Sequence, residues 1–350
     1  MDSRCFSMER TSQNQNATQE RSGFTITELL VAITIISVLI AMIVPAVQHS
    51  RETARRLDCQ NRLRQLGIAL QNFETRHRSF PVEGGPWIRD PYGASSSLVA
   101  ARYSVLAQLL SDLDQSTVTE DFDFTKYNGP PSPSELKLEI FLCPSDPSGS
   151  KGTNYRVCTG SNPELTLEME TWGVFTRGQA TKTSSVTDGL TQTVVISERL
   201  RSDESFDPYQ PLKDSAGSGY ATLVGQRSVS ADEMLDVCGS LNGSFVGYSG
   251  RVGHYWADSS DLLTRYNHVA PPNSRVPDCA ITDYSVTRGD PPGHAISTFR
   301  VGQMTARSQH SGVVNCLLGD GSARPVSDSI DLRIWRGLST YSGEEVISEF

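Results

Sequence analysis

The chain has 350 residues and a formal net charge of −9, from 31 basic and 40 acidic residues. Such an acidic balance disfavours nucleic acid as a partner, and none is expected. The length is sufficient for a membrane segment followed by one large or two small domains.

The first feature along the chain is a polar stretch that ends at Gly23 and leads into an uncharged apolar run. From Leu29 to Val47, 16 of 19 residues are apolar. A helix of that length, at about 1.5 Å per residue, spans roughly the 30 Å core of a bilayer. A secretory signal peptide would have a shorter apolar region followed by a small-residue cleavage site, and neither is present. The sequence therefore predicts one transmembrane helix.

The arrangement around this run closely resembles the type IV prepilin and type II secretion pseudopilin signal. Gly23 stands where the leader ends, Phe24 where the mature chain begins, and Glu28 at mature position five. Pro45 falls at mature position 22, where pilin helices often carry a proline that kinks the helix. The resemblance implies cleavage after Gly23 and methylation of the Phe24 amine by a prepilin peptidase/N-methyltransferase.

The same resemblance implies a place and partners for the protein. It predicts a single pass through the inner (cytoplasmic) membrane, with a cytoplasmic N terminus and an extracytoplasmic or periplasmic C-terminal domain. The protein would stay in that membrane or enter a surface or periplasmic filament. The implied partners are the lipid bilayer, the inner-membrane assembly machinery and other pilin-like subunits packed through parallel helices. Five arginines between residues 51 and 64, against three in the leader, favour the opposite orientation, but processing requires a cytoplasmic leader.

Beyond Pro45 the helix is predicted to continue to about His77, because apolar residues recur there at spacings of three and four. This stripe consists of Cys59, Leu63, Leu66, Leu70 and Phe73. It is expected to pack against the protein's own globular domain, since it is too short for a separate coiled coil. A second helix is predicted from Leu98 to Leu113.

The rest of the chain is predicted to form short strands separated by loops rich in Gly, Pro, Asn and Asp. The predicted strands are Ile140–Leu142, Thr193–Ser197, Ala221–Val224, Ser244–Tyr248, Val313–Leu318 and Ala323–Val326. Asp320-Gly321 between the last two favours a tight hairpin, and a final helix is predicted from Asp331 to Leu338.

These signals predict an α+β fold, in which a long N-terminal transmembrane, pilin-like helix packs on a mostly antiparallel β domain with long loops. The predicted boundaries are a leader (1–23), a transmembrane N-methylation segment (24–47), an extracytoplasmic continuation of the helix (48–80) and a large extracytoplasmic domain (81–350).

Six cysteines remain after the leader, which fits an oxidising compartment and allows 15 pairings. Moderate sequence separation alone favours Cys143 with Cys158 and Cys238 with Cys279. Free buried thiols are an equal alternative, and Cys316 fits it best because it lies in an apolar run. No CxxC pair and no zinc-like Cys/His spacing is present.

Several segments together resemble a bacterial family in which a prepilin-type signal precedes a large domain of unknown function. That family carries a C-terminal signature of His, nine residues and Asp-Gly, here His310 to Asp320-Gly321. The segments that carry the resemblance are Cys59 to Pro81, Phe141 to Pro147, Val186 to Arg199, Tyr266 to Asn273 and His310 to Val346.

The sequence offers no converging catalytic motif, no catalytic residue is proposed, and no enzyme activity or cofactor is expected. His310 and Asp320 could form a base with its orienting acid, but the better interpretation is that Asp320 shapes a turn and His310 precedes a core strand. No metal is expected, with Asp320 and Asp328 as weak calcium candidates.

Two functions are consistent with the chain. The first is a membrane-anchored structural subunit of a type IV pilus or a type II secretion-like assembly. The alternative is an anchored extracytoplasmic binding protein for a solute or carbohydrate, which uses the pilin signal only as an anchor. Trp172, Tyr255 and Trp256 would line its groove, although such aromatics are more often core.

Overall fold

The computed structural model describes residues 25–84, 87–89, 98–100, 103–120, 122–124, 136–149, 151–163, 173–175, 179–203, 210, 212–213, 215–218, 229–240, 247–249, 252–260, 263–282 and 299–343. The chain forms two compact units, residues 1–51 and 52–350.

The described part of the first unit is the beginning of helix α1 (Ile26–His77). Every residue from 25 to 51 is exposed. An 18-residue window of this helix has a mean hydropathy of 2.8, and none of that window is buried. A helix that is apolar on all sides suits lipid better than water. Its length and composition are therefore compatible with a single-pass membrane anchor.

In the second unit, helix α1 buries one stripe of side chains. Cys59, Leu63, Leu66 and Leu70 are all buried, at the predicted spacing of four, three and four. The helix ends at His77, as predicted, because Arg78 has a φ of 58°. That left-handed conformation cannot continue a right-handed helix.

Eleven strands lie in the described part of the second unit, and most of their pairings are antiparallel. They are β1 (Trp87–Arg89), β2 (Leu98–Ala100), β3 (Tyr155–Cys158), β4 (Val194–Glu198), β5 (Ser215–Ser218), β6 (Gly247–Ser249), β7 (Arg265–Tyr266), β8 (Asp278–Thr282), β9 (Phe299–Gln303), β10 (Val313–Leu318) and β11 (Ala323–Ser327). A five-stranded sheet has the order β11-β10-β4-β3-β7, a four-stranded sheet the order β6-β5-β8-β9, and β1 pairs with β2. Among the pairings of these described strands, β3–β7 and β5–β8 are parallel and the others are antiparallel. The predicted α+β class is therefore confirmed.

In the described part of the chain, four short helices accompany the sheets. They are α2 (Val105–Gln108), α3 (Ser116–Thr119), α4 (Ala231–Gly239) and α5 (Leu332–Gly337). Helix α4 begins with a capping box, in which Ser230 and Glu233 bond each other's backbone N–H.

Strands β3 and β4 and most of strand β10 in the five-stranded sheet are buried on both faces, whereas the edge strand β11 is partly exposed. Leu317 of β10 belongs to the apolar cluster that contains the α1 stripe, whereas Leu318 belongs to a second cluster with Trp335 of α5. Successive side chains of a strand point to opposite faces. Strand β10 therefore separates the α1 side of the core from the α5 side.

Several predicted elements match the structure. Strands β4, β10 and β11 and helix α5 lie where the sequence placed them. The predicted strand Ser244–Tyr248 is described only in its last two residues, which belong to β6. The predicted strand Ala221–Val224 lies outside the described residues.

Two predicted elements are wrong. Ile140–Leu142 is not a strand, because Glu139–Phe141 forms a 3-10 turn that places Phe141 in the core. The stretch from Leu98 to Leu113 is not one helix. Its described residues include strand β2, helix α2 and a 3-10 turn at Leu110–Asp112. A run of three apolar residues is too short to reveal a helical or strand period, which explains the first error.

Candidate functional site

The N-terminal end of helix α1 carries the residues of the prepilin-type signal. Gly23 and Phe24 lie outside the described residues. Glu28 Oε2 accepts hydrogen bonds from the Thr25 N–H at 2.9 Å and from the Thr25 hydroxyl at 2.8 Å, and the Glu28 N–H donates to Thr25 Oγ1 at 3.3 Å. This reciprocal arrangement is a capping box. Glu28 therefore has a local role in starting the helix, which the sequence analysis missed.

Pro45 lies inside helix α1, which continues on both sides of it. Its ring nitrogen has no proton to donate to the carbonyl of Ala41, so one backbone hydrogen bond of the helix is missing there. The kink itself remains a prediction.

Four side chains from separate segments converge within the second unit. They are Cys59 of α1, Cys143, Glu198 at the end of β4, and His310 in the turn before β10. One nitrogen, oxygen or sulfur atom from each lies within 4.8 Å of the others, and all four residues are buried. Cys59 and Cys143 form a disulfide with a Cα–Cα distance of 5.3 Å. We refer to these four residues as the His310 cluster.

Both ring nitrogens of His310 face carboxylates. Nδ1 lies 2.8 Å from Glu52 Oε1, and Nε2 lies 3.4 Å from Glu198 Oε1 and 3.6 Å from Cys143 Sγ. Burial opposes a positive charge on the ring, but the hydrogen bonds and charges of Glu198 and Glu52 outweigh it and raise the pKa of His310. The imidazole is therefore fixed in orientation and favoured in its charged form.

The two carboxylates are themselves held by neighbours. Glu198 accepts hydrogen bonds from the Asn315 backbone N–H at 2.9 Å and from Asn315 Nδ2 at 3.0 Å. Asn315 Oδ1 in turn accepts from Gln60 Nε2 of α1 at 3.0 Å. Glu52 accepts from the Ser145 hydroxyl at 3.1 Å. The geometry of the His310 cluster thus depends on helix α1 and strand β10 together.

A buried network of charged residues lies next to the end of strand β4. Asp278 Oδ2 accepts from Arg199 Nε at 3.0 Å, and Asp278 Oδ1 accepts from Arg307 and from the Thr305 N–H at 3.1 Å. Burial would raise the pKa of Asp278, but the two guanidinium groups outweigh it and lower that pKa. Because Arg199 follows Glu198 directly, this network helps to fix the strand end that carries Glu198. These residues were not predicted from the sequence.

The Asp320-Gly321 pair forms the predicted hairpin turn and packs on helix α1. Asp320 Oδ1 accepts from the Ser322 N–H at 2.9 Å and from its hydroxyl at 2.7 Å, and Gly321 has a φ of 84°. Gln71 Nε2 donates to the Asp320 carbonyl. A Cβ atom added at Gly67 would lie 2.8 Å from the Gly321 carbonyl oxygen. The turn therefore fits against a helix surface that lacks a side chain.

The two ends of the His310 to Asp320 signature lie at opposite ends of β10. The six residues of that strand cover about 20 Å, so His310 and Asp320 do not form a base with its orienting acid. Asp328 is separated from Asp320 by strand β11, and the two calcium candidates do not converge. Within the described part of the chain, the His310 cluster is the group of metal-ligand side chains that does converge.

One of the two predicted disulfides is present. Cys238 and Cys279 are bonded, with a Cα–Cα distance of 5.5 Å. The predicted pair Cys143–Cys158 is wrong, because Cys143 bonds to Cys59. Cys158 belongs to the apolar cluster on the α5 side of the sheet, whereas Cys143 meets helix α1.

Cys158 and Cys316 are free, buried thiols. For Cys316 this agrees with the alternative prediction that some of the cysteines are free and buried. Burial raises the pKa of Cys158 to about 12, and the pKa of Cys316 is raised for the same reason. Both thiols therefore remain protonated and unreactive at neutral pH.

The aromatic groove considered for a carbohydrate is not formed by Trp256. Its side chain is fully buried, and its Nε1–H donates to the Leu136 carbonyl at 2.9 Å. Trp172 lies outside the described residues. An opening of about 490 Å³ lies between Lys213 and Arg307, and no aromatic residue is among the described residues that line it.

These features define a prepilin-type protein, with an exposed apolar N-terminal helix and an α+β globular unit. Residues 19–44 match the prokaryotic N-terminal methylation motif. Residues 48–333 match the family described as "Protein of unknown function (DUF1559)", and the chain belongs to that family. No curated protein and no solved structure matches the chain.

Proposed function

We propose that the protein is a pilin-like or pseudopilin-like structural subunit of a type IV pilus or a type II secretion-like assembly. A prepilin peptidase would cleave it after Gly23 and methylate Phe24. The observation that carries the proposal is that the methylation motif at residues 19–44 coincides with an apolar helix exposed on every side. Such a surface is stable only when lipid or the helices of other subunits cover it.

The second unit would lie outside the cytoplasm, anchored by a single pass through the inner membrane. Its two disulfides support this location, because disulfides persist in oxidising compartments and are rare in the cytosol. Assembly would proceed by parallel packing of the apolar helix segments of neighbouring subunits.

Glu28 would act in assembly through its charge. In a bundle of parallel helices its carboxylate can meet the methylated, still positive amine of Phe24 on an adjacent subunit. The capping box with Thr25 is a second, local role. Glutamine serves in a capping box as glutamate does but carries no charge. Glu28→Gln therefore separates the two roles, whereas Glu28→Ala removes both.

Processing is tested by intact mass and N-terminal sequencing of protein extracted from membranes. We expect a chain that starts at Phe24 and carries one extra methyl group. Recovery of chains that start at Met1 would refute the processing step.

Assembly is tested by the amount of each variant in a sheared filament fraction. We expect Glu28→Gln to be cleaved normally, to leave the melting of the second unit unchanged and to be lost from that fraction. Glu233→Gln is the matched control, because it makes the same change at the same position of the α4 capping box, and it should assemble normally. If Glu28→Gln assembles like the unmodified chain, the charge-pairing model is wrong. Correct processing of the unmodified chain without any filament fraction would favour the anchored binding protein instead.

A further inference from the structure

The His310 cluster combines the side chains that zinc prefers. Two cysteine sulfurs, one imidazole nitrogen and one carboxylate oxygen converge from four segments, and all four residues are buried. Zinc in proteins is bound by cysteine, histidine and acidic side chains, usually four in a tetrahedron. We propose that Cys59, Cys143, Glu198 and His310 bind one Zn²⁺ ion when the disulfide between the two cysteines is reduced.

The distances within the cluster match those of a tetrahedral zinc site. Ordinary zinc bond lengths and tetrahedral angles place a nitrogen and a sulfur ligand about 3.6 Å apart, and a nitrogen and an oxygen ligand about 3.4 Å apart. His310 Nε2 lies 3.6 Å from Cys143 Sγ and 3.4 Å from Glu198 Oε1. The distances from His310 Nε2 to these two ligand atoms therefore already match a zinc site. The two sulfur atoms, which are bonded to each other in the oxidised protein, must separate to about 3.8 Å.

The surroundings of the cluster also suit a metal site. A histidine that binds zinc usually donates its other ring N–H to a carboxylate or carbonyl, which fixes the ring and its tautomer. Glu52 Oε1 provides this partner 2.8 Å from His310 Nδ1, and so leaves Nε2 directed into the cluster. Asn315 holds Glu198 in the same way, through its backbone N–H and side-chain amide. Glu52 is thus a positioning residue for the proposed ligand His310.

Reduction of the Cys59–Cys143 disulfide makes the two sulfurs available to the metal, and reoxidation makes them unavailable. A dithiol reductant transfers two electrons and two protons to the Cys59–Cys143 disulfide, and is itself converted to a disulfide. When Zn²⁺ binds, the two resulting thiols lose their protons to solvent and bind as thiolates, and the charged form of His310 also gives up its Nε2 proton to solvent. In either state a link joins helix α1 to the rest of the second unit, through a sulfur–sulfur bond or through the metal.

The test uses the full chain in detergent and Zn²⁺ as the only added ligand. The protein is reduced with a dithiol under inert gas, freed of reductant by gel filtration and titrated against a chromogenic zinc chelator. We expect one tightly bound equivalent in the reduced protein and none in the oxidised protein. Co²⁺ in place of zinc should show the charge-transfer absorption of thiolate ligands and the visible bands of a tetrahedral ion.

Variants locate the bound ion. The double change Cys59→Ser with Cys143→Ser should abolish binding, whereas the matched double change Cys238→Ser with Cys279→Ser should leave it intact. Glu52→Gln, at a partly exposed position, should weaken zinc binding by about 10–100-fold, as is usual when the partner of a metal-bound histidine is changed. A purely structural role of Glu52 would leave the zinc affinity unchanged.

The zinc site would be refuted by a reduced chain that binds zinc no more tightly than the Cys59→Ser, Cys143→Ser variant, or by a cobalt spectrum without thiolate absorption. Equal zinc affinity in Glu52→Gln and the unmodified chain would refute the positioning role of Glu52. If reduction without metal unfolds the second unit, circular dichroism should show that Zn²⁺ restores its structure, because metal binding is then coupled to folding. Failure of zinc to restore it would also refute the site.

Discussion

Asp278 is bonded to both Arg199 and Arg307, and its replacement by asparagine tests how strongly this network stabilises the second unit. All three side chains are almost completely buried. Asparagine has nearly the same shape as aspartate but no charge, so Asp278→Asn leaves two guanidinium groups in the interior without the carboxylate that they share.

Removing one partner of a buried ion pair typically costs about 3–5 kcal/mol, because the remaining charge is desolvated and uncompensated. For a domain of this size, each 1 kcal/mol lowers the melting temperature by about 2–4 °C. Asp278→Asn should therefore lower the melting temperature of the second unit by roughly 6–20 °C. Near-UV circular dichroism of the full chain in detergent, recorded during heating, measures this change.

The pH dependence of the effect provides an independent check. The two arginines lower the pKa of Asp278 in the folded chain, so its stabilising contribution is complete above the unfolded pKa of about 3.9. That contribution is lost as the pH falls from there through the lower, folded pKa. The difference in melting temperature between the unmodified chain and Asp278→Asn should therefore shrink below about pH 4.

The control is Asp331→Asn, which makes the same chemical change at an exposed aspartate beside Arg333. Asparagine caps a helix about as well as aspartate, so helix α5 should be unaffected and the melting temperature should change little. Equal melting temperatures for Asp278→Asn and Asp331→Asn would refute the view that the buried network stabilises the fold.

Two further predictions concern packing and cysteine chemistry. Gly67→Ala should destabilise the second unit by about 1–3 kcal/mol, because the new Cβ would lie 2.8 Å from a backbone oxygen of the β10–β11 turn. Gly239→Ala should not, because its new Cβ would lie 3.9 Å from Val276 Cγ1, and equal denaturant midpoints for the two variants would contradict this. Alkylation of the denatured, unreduced protein should label two thiols in the processed chain, Cys158 and Cys316. The unprocessed chain should show a third labelled thiol, Cys5. Four or more labelled thiols by mass spectrometry would mean that a disulfide is absent.

Features that depend on local residue patterns were predictable from the sequence. The buried stripe Cys59, Leu63, Leu66 and Leu70 shows the helical period directly, and the Asp-Gly pair specifies its hairpin through its own backbone preferences. The 3-10 turn at Glu139–Phe141 was missed because packing in the core, and not a local pattern, decides its conformation.

The His310 cluster could not be derived from spacing, because its members are far apart in the sequence and meet only after the sheet forms. Cys59 and Cys143 are 84 residues apart, and moderate separation was the wrong criterion for pairing them. A usable signal was present: each member of the cluster lies in one of the five segments that carry the family resemblance. The buried partners of Asp278 had no such signal, since charged residues in a sequence are ordinarily predicted to be exposed.

The disulfide between Cys59 and Cys143 also determines how the chain carries mechanical force. A pull applied at the N-terminal end of helix α1 travels along the helix to Cys59, which is covalently bonded to a distant segment of the second unit. There the covalent bond transfers the tension directly to Cys143, which lies 84 residues further along the chain. The intervening segment, including the helix end that packs on the hairpin, is bypassed by this covalent path. A subunit that is drawn out of a membrane by its helix would thus be held by a covalent bond, and the apolar packing of residues 60–77 would not have to resist the pull alone.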